Sequence, residues 1–305
     1  MRIVFMGTPD FAAASLGRLF SDGHEIPLVL TQPDKPKNRG QKLQKSPVKL
    51  LAEGKTDIYQ PDSLRSGEAE RIIRAAAPEL IAVVAYGKLL PEEILNIPGL
   101  GCVNLHGSLL PKYRGAAPIQ RAVLAGEKTV GVTSMYMARE LDAGDMIFAE
   151  ATPLGENETS GELLERAAIL GADVLSRTVT AIARGDAPRT AQNHAQATFA
   201  PPLSKAESRV DWTKRAQAVH NQIRGLNPWP CAVAELDGEL FRLHMSKLAE
   251  GAGAPGEIIA RDNAGFTVAC AEGAVKITRL QASGGKIMDA GAYMRGHAGF
   301  PVTVR

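Results

Sequence analysis

Apolar residues in the first half of this chain come in short unbroken runs separated by amphipathic stretches. The run Ile3-Val-Phe-Met6 predicts a strand over residues 2–6. Helical spacing through Leu16 and Phe20 follows, and then the apolar strand 26–30. The same alternation continues with helices over 48–53 and 69–77 and strands over 80–85, 102–105, 131–138 and 146–149. A long helix is predicted over 160–184. Strands that are apolar at every position suit a parallel sheet covered by helices on both faces, so this half reads as a Rossmann-like, doubly wound, mostly parallel α/β sheet.

Periodicity is lost over residues 185–208, which contain Pro188, Pro201 and Pro202, and that stretch reads as a linker. Beyond it a helix is predicted over 214–224. Five β-like runs follow at 232–236, 240–248, 257–261, 266–271 and 275–281, separated by glycine-containing turns. Short strands with such turns indicate a small OB-like β-barrel. The expected organisation is a catalytic domain over 1–188, a linker over 189–206 and a C-terminal domain over 207–305.

Composition narrows the class. A chain of 305 residues with 45% hydrophobic and 22% charged residues is long enough for two cores and has no disordered character. Cys102, Cys231 and Cys270 are too widely spaced for a metal knuckle, and their odd number argues against a disulfide framework. No apolar run reaches the length of a membrane span or a signal peptide core, so a soluble cytoplasmic protein, without membrane contact, is expected. The histidines outside residue 106 are scattered, with no i, i+4 pair, so no metal is expected. Gly7-Thr-Pro-Asp10 follows the first strand as a nucleotide-binding turn would, but one glycine cannot do what three do in a dinucleotide site. Asp34, at the end of the second strand, is the best single point for a dehydrogenase. With 35 basic against 33 acidic residues, net charge points to no nucleic acid, and a case for one must be local.

The most informative segment is Cys102-Val-Asn-Leu-His-Gly-Ser-Leu-Leu-Pro111. Asn104 and His106 are two apart, so on a strand they share a face, at the carboxyl end where open α/β sheets bind ligands. Asp142, in Glu140-Leu-Asp-Ala-Gly-Asp145, falls at a turn after the next strand and could reach the same crevice. An Asn, a His and an Asp without a paired nucleophile suit direct attack of an amine on an acyl carbon. Asn donates to the developing oxyanion, His donates to it or relays a proton, and Asp orients His. Each residue taken alone also fits a turn cap or a backbone partner.

Asn104-x-His106 followed by Ser108-Leu-Leu-Pro111, with Asp142 in a Leu-Asp-x-Gly turn, resembles the signature of enzymes that use 10-formyltetrahydrofolate. Longer strings narrow the likeness: Gly7-Thr-Pro-Asp-Phe11, Thr31-Gln-Pro-Asp34, Val84-Ala-Tyr-Gly87, Arg114-Gly-Ala-Ala-Pro118, Arg209-Val-Asp-Trp212 and Asn227-Pro-Trp-Pro230. Together they resemble the methionyl-tRNA formyltransferase family over both expected domains, departing at Cys231, where the family commonly has Gly. The resemblance implies that Asn104, His106 and Asp142 are catalytic and that Ser108, Leu109, Leu110 and Pro111 line a folate pocket. It further implies 10-formyltetrahydrofolate as formyl donor, initiator methionyl-tRNA as acceptor and a role in translation initiation. A monomer is expected.

Residues 35–49 carry Lys35, Lys37, Arg39, Lys42, Lys45 and Lys49 and no acid. Without a helical stripe, the segment reads as a flexible arm for phosphates or as a solvated surface loop. The resemblance favours the former: the family has a basic insertion here that enters the tRNA acceptor stem, and Arg39 matches its important arginine, with Lys35, Lys37 and Lys42 beside it. Residues 207–305 add little, with 12 basic against 10 acidic side chains. Two other readings share parts of the pattern. Formyl transfer to a small amine would use the same three polar residues without the basic segment. A catalytically silent RNA-binding module would need the three broken or the folate pocket blocked. Trp212 and Trp229 read as packing residues.

Overall fold

Strands that lie far apart in the chain become neighbours because each is apolar on both faces and can be covered only at the centre of a sheet. The computed structural model describes residues 1–37, 42–236, 238–297 and 303–304. In chain order its first elements are β1 (Arg2–Gly7), α1 (Asp10–Ser21), β2 (Glu25–Leu30), β3 (Lys35–Lys37), β4 (Lys42–Gln44), α2 (Pro47–Ala52) and β5 (Asp57–Tyr59). Then come α3 (Glu68–Ala75), β6 (Leu80–Val84), α4 (Glu92–Leu95), β7 (Cys102–His106), α5 (Pro118–Ala125), β8 (Thr129–Tyr136), β9 (Met146–Pro153) and α6 (Ser160–Arg184). The remainder is α7 (Ala216–Gly225), β10 (Ala232–Leu236), β11 (Glu239–Ala249), β12 (Ile258–Asp262), β13 (Gly265–Ala269), β14 (Ala274–Ala282), β15 (Met288–Asp289) and α8 (Ala290–Gly296). Two compact units result, one of Met1–Pro118, Val130–Thr152 and Leu164–Ala200, the other of Ile119–Thr129, Pro153–Leu163 and Pro201–Arg305.

The first unit holds a seven-stranded sheet in the order β5-β2-β1-β6-β7-β8-β9. Strands β1, β2, β5, β6 and β7 pair in parallel, and β8 runs antiparallel to β7. Ile3, Val4, Phe5 and Met6 are all fully buried, as are Leu80, Ile81, Ala82 and Val84, so both faces of the central strands are covered. Burying each of the larger side chains among them stabilises by about 1.5–3 kcal/mol, which is why these runs, and not the polar ones, take the middle. The chain leaves β1 towards β2 and β5, then returns to β6 on the other side of β1. The reversal falls between β1 and β6, beside β7, and ligands bind in such sheets at the carboxyl ends of the strands next to it. Gly7 sits at that point because a Cβ there would lie 2.9 Å from the Val84 carbonyl oxygen.

The second unit builds an antiparallel sheet in the order β10-β11-β14-β13-β12, with β15 on β14. Thr303 and Val304 bridge Glu257, just before β12, and Leu236 of β10, so the tail joins the two ends of the path and closes a barrel. Val304 N–H donates to the Gly256 carbonyl at 2.7 Å, and Gly256 takes φ +88 with no room for a Cβ against Val304. Leu243, Phe266, Val268, Ile277 and Trp212 form the core. Trp229 is instead 55% exposed, so only one of the two tryptophans packs inside.

All three cysteines are free and buried, and burial pushes the Cys102 thiol up to about 12 and that of Cys270 to about 11. Since the thiolate is the reactive form, native protein at pH 8 should resist iodoacetamide while denatured protein takes up three labels. Rapid labelling of native protein, read by mass spectrometry, would contradict this burial.

Candidate active site

Alternation along β7 puts Asn104 and His106 on one face at the strand's carboxyl end. Pairing with β8, in which Asn104 opposes Met135 and His106 opposes Thr133, holds both in register. The Asn104 carboxamide is half-buried and makes no hydrogen bond to any described residue, so its donors are free for a ligand. His106 is buried. Its Nε2 lies 2.8 Å from the Tyr113 carbonyl oxygen, and Nδ1 lies 3.6 Å from Oδ2 of Asp142. A carbonyl can only accept, so Nε2 carries a proton.

Asp142 occupies the turn between β8 and β9 with φ +50, a left-handed conformation that Asp tolerates better than most side chains. Its Oδ2 accepts a 2.8 Å hydrogen bond from the Gly115 N–H, and its carbonyl accepts one at 2.9 Å from Nε2 of Gln192. The structure thus brings His106 and Asp142 together across the sheet, with Asn104 two residues away on the same face.

Residues 107–117 form the rim. Thr133 Oγ1 donates to the Ser108 carbonyl and accepts from the Leu110 N–H, while the Ser108 hydroxyl donates to the Lys112 carbonyl at 2.6 Å. Ser108 and Leu110 are buried, whereas Leu109 and Pro111 are partly exposed. The Ser108 hydroxyl is therefore spent on loop shape. Tyr113, Arg114 and Gly115, to which spacing and periodicity assign no role, each touch the site. Tyr113 supplies the acceptor for His106, Arg114 hydrogen-bonds Gln192, and Gly115 donates to Asp142. Residues 190–200, read from sequence as linker, strap this rim. The Tyr113 N–H donates to Thr198 Oγ1, the Arg114 N–H to the Thr198 carbonyl, and the Ala200 N–H to the Arg114 carbonyl.

The described parts of the basic segment are paired. Strands β3 and β4 pair antiparallel, Lys35 opposite Gln44 and Lys37 opposite Lys42, and Lys35 is exposed. Arg39 lies outside the described residues. Lys45 pairs with Glu53 at 2.7 Å, and Lys49 pairs with Asp34 at 2.6 Å. Hydrogen bonds from Lys49 and Gln60 hold the Asp34 carboxyl below the usual carboxylate range. Asp34 is thus committed to fixing the base of the hairpin and not to a ribose. Ser46 caps α2 by accepting from the Lys49 N–H. No helix among the described residues is long and apolar enough to cross a membrane.

A family described as formyl transferase matches residues 1–179, and one described as formyl transferase, C-terminal domain, matches residues 202–298. A methionyl-tRNA formyltransferase from Macrococcus caseolyticus is 48% identical, covering 97% of this chain and 95% of its own length. One from Moorella thermoacetica is 47% identical, covering 99% and 98%. Among solved structures, WlaRD, a sugar 3N-formyl transferase in the presence of dTDP and 5-N-formyl-THF, superposes with a TM-score of 0.69 at 18% identity, covering 92% of this chain and 97% of that one. HypX from Aquifex aeolicus in complex with tetrahydrofolic acid gives 0.68 at 18% identity over 96% of this chain, which spans about half the length of HypX (47%). At those identities the likeness is one of fold.

Proposed function

Because this chain belongs to the formyl transferase family, we propose that it transfers the formyl group of 10-formyltetrahydrofolate to the α-amino group of methionine on initiator methionyl-tRNA. The observation that carries this reading is near-full-length identity of 43–48% to proteins named methionyl-tRNA formyltransferase. The methionyl amine attacks the formyl carbon and forms a new C–N bond, and the C–N10 bond to tetrahydrofolate then breaks. One proton passes from the amine to N10. Charge builds on the formyl oxygen between these events, and preorganised donors aimed at that charge lower the barrier most. Asn104 has unengaged donors for that oxygen, and His106, two residues along the same face, serves it by turning its Nε2–H from the Tyr113 carbonyl to the substrate. Asp142 holds the ring and balances its charge when it carries the second proton. The rim of residues 108–111 forms one wall for the folate.

In the division of labour that we propose, residues 1–188 carry the chemistry and residues 207–305 contact tRNA, with 189–206 between them. Purified protein given 10-formyltetrahydrofolate and charged initiator tRNA should release formylmethionyl-tRNA and tetrahydrofolate, and free methionine or a dTDP-amino sugar should be a poor acceptor. Absence of the formylmethionyl product would overturn the reading.

Lys35, Lys37, Arg39 and Lys42 are assigned to the tRNA backbone. Neutralising Lys35, Lys37 and Arg39 together should reduce the slope of log K against log salt by about 2 to 3, since each lost phosphate contact removes roughly 0.7–0.9. An unchanged slope would return the hairpin to a solvated surface role. Lys45 and Lys49, already paired with acids, should contribute less to that slope.

A further inference from the structure

Outside the three polar residues assigned to the chemistry, one buried side chain has all of its hydrogen-bonding capacity directed at the site. Gln192 is 5% exposed. Its Nε2 donates to the carbonyls of Asp142 at 2.9 Å and Gly144 at 2.8 Å, using both amide hydrogens. Its Oε1 accepts from Arg114, from Nη2 at 2.6 Å and Nε at 3.2 Å. The amide orientation is dictated by these neighbours, because peptide carbonyls only accept and a guanidinium only donates. Arg114 is equally buried, and the residue after it donates its N–H to the Asp142 carboxylate.

Asp142 is therefore gripped twice, at its carbonyl by Gln192 and at its carboxylate by Gly115, and Arg114 ties the two grips together. A residue in the left-handed region stays there only when its surroundings hold it. We infer that Gln192 is a positioning residue for the transfer reaction, acting through the 142–144 turn to keep the Asp142 carboxylate against Nδ1 of His106. This rests on the reading of Asn104, His106 and Asp142 as the site of chemistry.

Gln192→Glu separates positioning from general support of the fold. Glutamate keeps the acceptor for Arg114 and strengthens that pair, but it removes both donors and sets a carboxylate oxygen against two carbonyls. The expected result is a 10- to 100-fold fall in kcat, with KM for the folate and for tRNA within about threefold. Two buried carbonyls left without donors also lower the thermal midpoint, so the rates are compared at a temperature where both proteins are folded. In an Asp142→Ala background the same substitution should cost no further activity, as expected for residues acting as one unit. Retention of kcat within twofold, or the full loss repeated in the Asp142→Ala background, would overturn the assignment. Hydrogen exchange supplies a readout independent of turnover. The Gly115 amide and residues 141–145 should exchange faster in Gln192→Glu than in wild type, and unchanged exchange counts against the clamp. If wild-type protein formylates nothing, the proposed function fails while the clamp is still judged by exchange.

Discussion

Replacing His106 with alanine should lower kcat by about 10²- to 10⁴-fold, the range that a positioned acid–base group supplies. The side chain is buried at the end of β7, with one nitrogen on the Tyr113 carbonyl and the other facing Asp142. Asn104→Ala should cost about 10²- to 10³-fold, or roughly 2.7–4 kcal/mol, since a donor to an oxyanion acts mainly in the transition state. Affinity for tRNA should change little in either variant. If both groups serve one developing charge, the double variant should lose less than the product of the single losses. Single-turnover rates with saturating folate and tRNA measure all three. Wild-type rates in Asn104→Ala would remove it from the mechanism, and strict multiplicativity would mean that the two residues act on separate steps.

Gly144→Ala is the second substitution with a large expected effect, and it touches no reacting group. A Cβ on Gly144 would stand 1.8 Å from the Tyr136 carbonyl oxygen, a contact that no side chain can adopt. The 141–145 turn must therefore lift away from the end of β8, where the Tyr136 N–H donates to the Asp145 carbonyl. Moving the turn breaks the Gln192 contacts and carries Asp142 away from His106. Displacements near 1 Å at a catalytic group cost on the order of 10²-fold in rate, and overpacking a tight site costs about 1–3 kcal/mol of stability. Gly99→Ala provides the control, since its Cβ would meet nothing within 4 Å and its backbone needs no left-handed conformation. Thermal melts and kcat of the pair test the argument. A Gly144→Ala variant with wild-type melting and turnover would refute the close approach on which it depends.

The central strands and the longest helix were legible because their signals are local. Residues 3–6 and 80–84 are apolar at every position, and the repeat over 160–184 coincides with α6. Short pieces are not legible: β5 and α4 have three and four residues, too few to display a period, and β3 meets β4 through a pairing that no periodicity foretells. Trp212 and Trp229 looked alike in sequence, yet only Trp212 found a core to enter.

Sequence by itself determined which residue types could do the chemistry. The two-residue spacing of Asn104 and His106 settles that they share a face wherever β7 lies, because side chains on a strand alternate. Tertiary structure decided what surrounds them. Gly115 reaches Asp142 across 27 residues, Gln192 reaches the Asp142 carbonyl across 50, and Arg114 reaches Gln192 across 78. No periodicity or spacing rule spans such separations. These contacts exist because burying apolar strands forces distant loops to one end of a sheet, where each polar group removed from water must find a partner.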